Sequence, residues 1–126
     1  MKMNTYKTQS AFTLVEIMIV VAIIGLLAAL AVPGFMRARM QSQGRRIIND
    51  ARQMDAAVDQ WALETGAKNG DAVNTTSAAL YLKRAWPVTD LLNGTYVINS
   101  VGSTQIQIAT TTKTSLAGVG IDWGSY

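Results

Sequence analysis

The stretch Phe12–Phe35, FTLVEIMIVVAIIGLLAALAVPGF, decides how this chain is organised. From Ile17 to Val32 every residue is apolar or glycine. With Phe12, Leu14 and Val15 the run is long enough to cross a hydrocarbon core about 30 Å thick as a helix. Glu16 breaks the pattern, an acid inside an otherwise apolar segment. A carboxylate near the middle of a spanning helix costs roughly 2.5–3.5 kcal/mol on insertion scales. An ionisable group in such a place points to function and to a partner that offsets the cost.

Three accounts compete for this stretch. It is an ordinary membrane anchor with Glu16 near the headgroups, or a removable secretory signal, or something more specific. For a signal, Lys2 and Lys7 form a basic leader and Ala29-Leu30-Ala31 fits the small-x-small cleavage rule. Against it, the apolar run is long, carries an acid and leads into further helix. The specific account rests on the order of residues. A short basic leader ends in Ala11, and Phe12-Thr13-Leu14-Val15-Glu16 follows, then the apolar run. This order resembles the N-terminus of type IV pilins and of the pseudopilins of type II secretion, strongly from Lys7 to Phe35 and loosely along the next helix.

The resemblance implies a prepilin peptidase cut between Ala11 and Phe12 on the cytoplasmic side and N-methylation of Phe12. It makes Glu16 the fifth mature residue and an assembly contact for the amine of a neighbouring subunit. Gly25 and Pro33 fall where pilins often carry a helix-softening glycine and proline. In the family a Gly usually precedes the cut; Ala11 stands there in this chain. The expected organisation is a leader over residues 1–11, a transmembrane and filament-core helix over 12–36, its amphipathic continuation over 37–65 and a small C-terminal region over 66–126.

Composition narrows the function classes. The 126 residues allow a spanning segment and one small body. The formal net charge is +3, and removing Lys2 and Lys7 with the leader leaves the rest near neutral, so no field for nucleic acid arises. Cysteine and histidine are both absent. That removes disulfides, thiol chemistry, the commonest general base and the usual soft metal ligands. The composition argues against an enzyme, and no cofactor is expected. Counted alone, Arg37, Arg39, Arg45 and Arg46 after the apolar run slightly favour the orientation opposite to a pilin's; the resemblance implies a cytoplasmic leader and an exported body.

Beyond Pro33-Gly34, Met40, Ile47, Met54 and Trp61 recur every seven residues, with Gly44, Ala51 and Val58 interleaved. The spacing predicts one amphipathic helix from about Phe35 to Thr65, widened by Ile48, Ala57 and Ala62. Its C-terminal half is expected to pack on the chain's own body and its N-terminal half on neighbouring subunits. Arg46 and Asp50 are placed for an i,i+4 pair, and Gly66 is a helix stop. A short helix over Ser77–Arg84 is expected, capped by Thr76 or Ser77. Turns are expected at Asn69-Gly70, Asp90–Asn93 and Gly102-Ser103. Strands Thr95–Ser100 and Thr104–Ala109 are expected to pair antiparallel over Met54, Val58 and Trp61. Thr110–Ser115 reads as an exposed loop and Gly118–Trp123 as a third strand. The fold class is therefore α+β, a long helix packed against a small antiparallel sheet.

The remaining candidates for chemistry are weak. Asp71, Asp90 and Asp122 suit a hard metal but show no ligand spacing; turn formation explains them better, and no metal site is assigned. Trp61, Trp86 and Trp123 are expected in the core. Arg45 and Arg46 fit a solvated helix face, and no specific nucleic-acid partner is expected. The resemblance thus implies a structural subunit held in a bacterial inner membrane, then built into a periplasmic or cell-surface filament. Its partners would be copies of itself, related minor pilins, prepilin peptidase, an inner-membrane assembly platform and, before assembly, the lipid bilayer. The missing cysteine loop favours a type II secretion pseudopilus; the alternatives are a type IV pilus for adhesion, motility or DNA uptake, and a secreted binding domain with a conventional signal peptide.

Overall fold

Helix α1 spans Leu14–Thr65, 52 residues without a break in the computed structural model, which describes residues 10–102 and 104–126. Lys2 and Lys7 of the expected leader, and Ser103 of an expected turn, lie outside the described residues. The described chain divides into two units, one ending at Met36 and one from Arg37 to Tyr126.

In the first unit α1 is apolar on all sides, and each large apolar side chain from Phe12 to Phe35 exposes more than half of its surface. Such a helix has no core of its own and must find lipid or protein. Its composition and length suffice to cross a membrane.

In the second unit the seven-residue stripe is the core. Gly44, Ile47, Ile48, Ala51, Met54, Ala57, Val58, Trp61 and Ala62 are buried on one face of α1, as their spacing requires. The helix ends where Gly66 takes a left-handed φ of 73°. The Ala67 N–H then bonds back to the Ala62 carbonyl at 3.0 Å, the closing bond of a glycine-terminated helix.

The rest of the unit lies on that stripe in short pieces: α2 (Thr75–Ala78) running into a 3-10 turn (Ala79–Tyr81), β1 (Val97–Ile98), β2 (Ile106–Gln107) and α3 (Thr110–Ser115). Strands β1 and β2 pair antiparallel with Ile98 opposite Ile106, in one hydrophobic cluster with Met54, Val58, Trp61, Tyr96 and Ile108. The expected pair is thus present, but with a ladder of two residues on each side.

Several expectations are corrected. The short helix begins earlier, because Asn74 caps it by accepting the Ser77 N–H at 3.1 Å, and it ends at Tyr81. Thr110–Ser115 is a helical turn, not an exposed loop. Thr112 is buried and donates to Asp90 at 2.5 Å, while the next residue but three, Leu116, enters the core. Gly118–Trp123 forms no strand; Gly118 and Gly120 adopt φ of 82° and 73°, values outside any β-ladder. Asp50 pairs with Arg84 at 3.0 Å, not with Arg46; Arg preceding an acid at i,i+4 is the weaker order. Trp61 is core, whereas Trp86 and Trp123 only flank it.

The N-terminal half of the stripe also packs on the chain's own body. A Cβ on Gly44 would overlap the side chain of Ile121. Arg37 donates to the Gly118 carbonyl at 3.1 Å, and Gln41 to that of Val119 at 2.8 Å. The glycine-rich 118–120 segment can lie on the helix because its carbonyls find these donors.

Asp90 organises the remaining loops. It accepts the N–H groups of Leu92 and Gly94 at 2.8 and 2.9 Å and the Thr112 hydroxyl, joining a turn to α3. Asp90→Ala would strand these donors in a buried place, at a cost on the order of 3 kcal/mol. Thermal unfolding of the full chain in detergent should show a clear fall in midpoint. An unchanged midpoint would mean that solvent reaches the turn.

Candidate functional site

The start of α1 carries the residues singled out in the sequence. Ala11 and Phe12 precede the helix in exposed, irregular backbone, and Phe12 is 84% exposed. Thr13 stands immediately before the first helical residue. The Glu16 carboxylate accepts the Thr13 N–H at 2.7 Å and its hydroxyl at 2.9 Å, and the Thr13 hydroxyl accepts the Glu16 N–H at 3.3 Å. This is a reciprocal capping box. Its signature, Thr-x-x-Glu before an apolar run, is written in residues 13–16, and the charge of Glu16 is a separate property of the same side chain.

The cap changes the energetics of the carboxylate. A bare anion in an apolar segment would be unpaired, whereas here two donors from the chain's own first turn already reach one of its oxygens. The helix N-terminus adds a favourable dipole field. The arrangement orients the carboxylate toward the end of the helix where Phe12 lies. It holds an anion at the mouth of an exposed apolar helix, a geometry suited to binding a cation.

Gly25 and Pro33 both sit inside continuous helix. A Cβ on Gly25 would meet nothing within 4 Å, so no packing within this chain demands glycine there. Pro33 has no N–H to give its helix. Neither position breaks α1 in the single chain.

No group of three or more His, Cys, Asp or Glu that could hold a metal occurs among the described residues. Asp71, Asp90 and Asp122 each accept hydrogen bonds within turns. Asp71 accepts the Lys68 N–H at 2.7 Å and Asp122 the Gly124 N–H at 3.0 Å, and Asp90 has the partners given above.

Comparison with known proteins bears on this helix directly. The family model described as the prokaryotic N-terminal methylation motif matches residues 6–32. The fimbrial protein EcpC of Eikenella corrodens is 31% identical over 115 residues, 88% of this chain and 68% of that protein. The chain belongs to the type IV pilin and pseudopilin family.

Further members of the family match over the N-terminal half. The type IV major fimbrial protein FimA of Dichelobacter nodosus is 45% identical over 56 residues, 44% of this chain and 36% of that protein. The type II secretion system core protein G of Klebsiella michiganensis is 34% identical over 58 residues, 46% of this chain and 41% of that protein. The chain thus spans little more than a third of the length of FimA. Both fimbrial and secretion proteins stand among these pilin relatives, so membership alone does not separate the two machines. No solved structure matches the chain.

Proposed function

We propose that this chain is the subunit of a type IV filament, anchored in a bacterial inner membrane through Phe12–Met36 and polymerised through the same helix. The observation that carries it is an α1 whose apolar side chains are all exposed over its first unit, with one carboxylate held at its mouth. Prepilin peptidase cuts between Ala11 and Phe12, the new amine of Phe12 is methylated, and the Glu16 carboxylate receives the Phe12 amine of a neighbouring subunit. In an apolar surrounding neither charge is tolerable alone, while together they offset much of each other's desolvation. An assembly platform in the membrane and related minor pilins are the remaining partners, and the reading includes no catalytic step.

A surface pilus is the finer assignment, supported by likeness to a fimbrial protein along 88% of the chain. A periplasmic secretion pseudopilus is the second, favoured by a body with no cysteine to close the loop common in many pilins. Mass spectrometry of the membrane-derived protein tests the processing step: the mature chain should begin at Phe12 with a methylated amine. A terminus at Val32 would mark a conventional signal peptide, and an intact Met1 a plain anchor.

Between Gly25 and Pro33 the helix is expected to lose regular hydrogen bonding once subunits pack, because neighbouring helices can re-satisfy freed backbone groups. A filament map showing unbroken helix from Leu14 to Glu64 would count against this.

A further inference from the structure

The charges on the second unit's part of α1 are segregated along its axis. Arg45, Arg52 and Asp59 follow at seven-residue intervals, so they stand in one row, and Asp55 lies one turn before Asp59. Arg45 and Arg52 are exposed. Among the described residues neither has a carboxylate within 4 Å, the ion pair of this unit being Arg84 with Asp50. Both line a cleft of about 300 Å³ formed with Gln41, Ile48 and the 120–122 segment. Asp122 also lines it; one of its oxygens accepts the Gly124 N–H, and among the described residues neither arginine comes within 4 Å of its carboxylate.

The acidic end of the row lacks cations in the same way. Asp59 accepts from Gln105 at 2.6 Å through one oxygen, and Asp55 has only a long contact with the Tyr126 hydroxyl at 3.4 Å. Partial burial, and then the neighbouring Asp59 charge, raise the Asp55 carboxyl above its ordinary pKa, the mark of an anion short of compensation.

We infer that the arginine-walled cleft of one copy receives the Asp55–Asp59 row of a second copy, set parallel and displaced along the helix axis. The inference rests on the filament reading above and names a contact within it. With no displacement Arg would face Arg, and a shift of seven residues still sets Arg45 level with the second copy's Arg52; a shift of fourteen sets Arg45 level with Asp59 and Gln41 level with Asp55, roughly 21 Å at about 1.5 Å per residue. Copies anchored in one membrane run in the same direction, which removes the antiparallel solution. A displaced parallel contact is heterologous, and repeated without closure it builds an open filament.

The test uses the full membrane-anchored chain in two reversed forms, Arg45→Glu/Arg52→Glu and Asp55→Lys/Asp59→Lys. Each alone places like charges in the contact and should lower the yield of sheared filaments roughly tenfold or more. Expressed together they become complementary, and filaments containing both should return to near the wild-type yield. Because the chain has no native cysteine, a second measurement avoids any folding defect of the acidic variant. Arg45→Cys and Asp59→Cys chains, co-expressed, should be joined between copies by a short bismaleimide, and neither should dimerise when treated alone.

Wild-type yields from every reversed form, with no cross-linking, would overturn the inference and leave the filament reading standing. A wild-type chain that is not cut before Phe12 and forms no filament would overturn both. If Arg45→Glu/Arg52→Glu lost binding to phosphatidylglycerol vesicles but entered filaments normally, the cleft would serve lipid headgroups and the inference would fall.

Discussion

Glu16→Gln should be processed, methylated and inserted like the wild type, yet enter filaments at no more than about a tenth of the wild-type share when the two are co-expressed. Breaking a buried pair by removing one charge costs about 3–5 kcal/mol, more than the roughly 1.4 kcal/mol that a tenfold change needs. The capping box makes this substitution informative. A glutamine carbonyl can still accept from Thr13, since Gln serves at this position of a capping box, so the change removes charge while keeping the helix start. Thr13→Val removes the hydroxyl and keeps the charge. If assembly depends on the amine–carboxylate pair, Glu16→Gln is the more damaging of the two. The readout is the mass-resolved ratio of the two forms in purified filaments against their ratio in membranes. Equal incorporation would show that Glu16 acts only as a cap at the membrane surface.

Trp61→Ala should cost about 3–5 kcal/mol of stability in the second unit. Trp61 is 9% exposed and closes the upper end of the α1 stripe, in one cluster with Met54, Val58, Tyr96 and Ile106. No disulfide backs up this core. A domain of this size is stable by only about 5–15 kcal/mol, and 1 kcal/mol moves the midpoint by about 4–8 °C, so a fall of at least about 12 °C is expected. Near-UV circular dichroism of the full chain in detergent follows it. Trp123→Ala, at a half-buried flanking site, should fall much less. An unchanged midpoint for Trp61→Ala would show that the stripe is not the core of this unit.

The long helix was legible because its signals are local. An unbroken apolar run, a seven-residue stripe from Met40 to Trp61 and a glycine at position 66 each follow from helix geometry and backbone sterics, with no knowledge of what lies opposite. The Thr13–Glu16 box was local too and could have been read from its spacing. The α+β class followed from the helix together with alternation at Gln105–Ile108. What tertiary structure decided lies where a weak local preference met a strong distant partner. Thr110–Ser115 has no sequence reason to be helical; it coils because Thr112 reaches a buried Asp90 and Leu116 must enter the core. Gly118–Trp123 alternates like a strand but lies as an irregular segment, because its glycines take left-handed angles and its carbonyls accept from Arg37 and Gln41. Asp50 turns to Arg84 because a loop 34 residues away brings a better-placed cation than Arg46 on its own helix. Periodicity is written in a chain one turn at a time, whereas a choice among partners of similar local strength is made by whichever desolvates the most surface when the chain closes on itself.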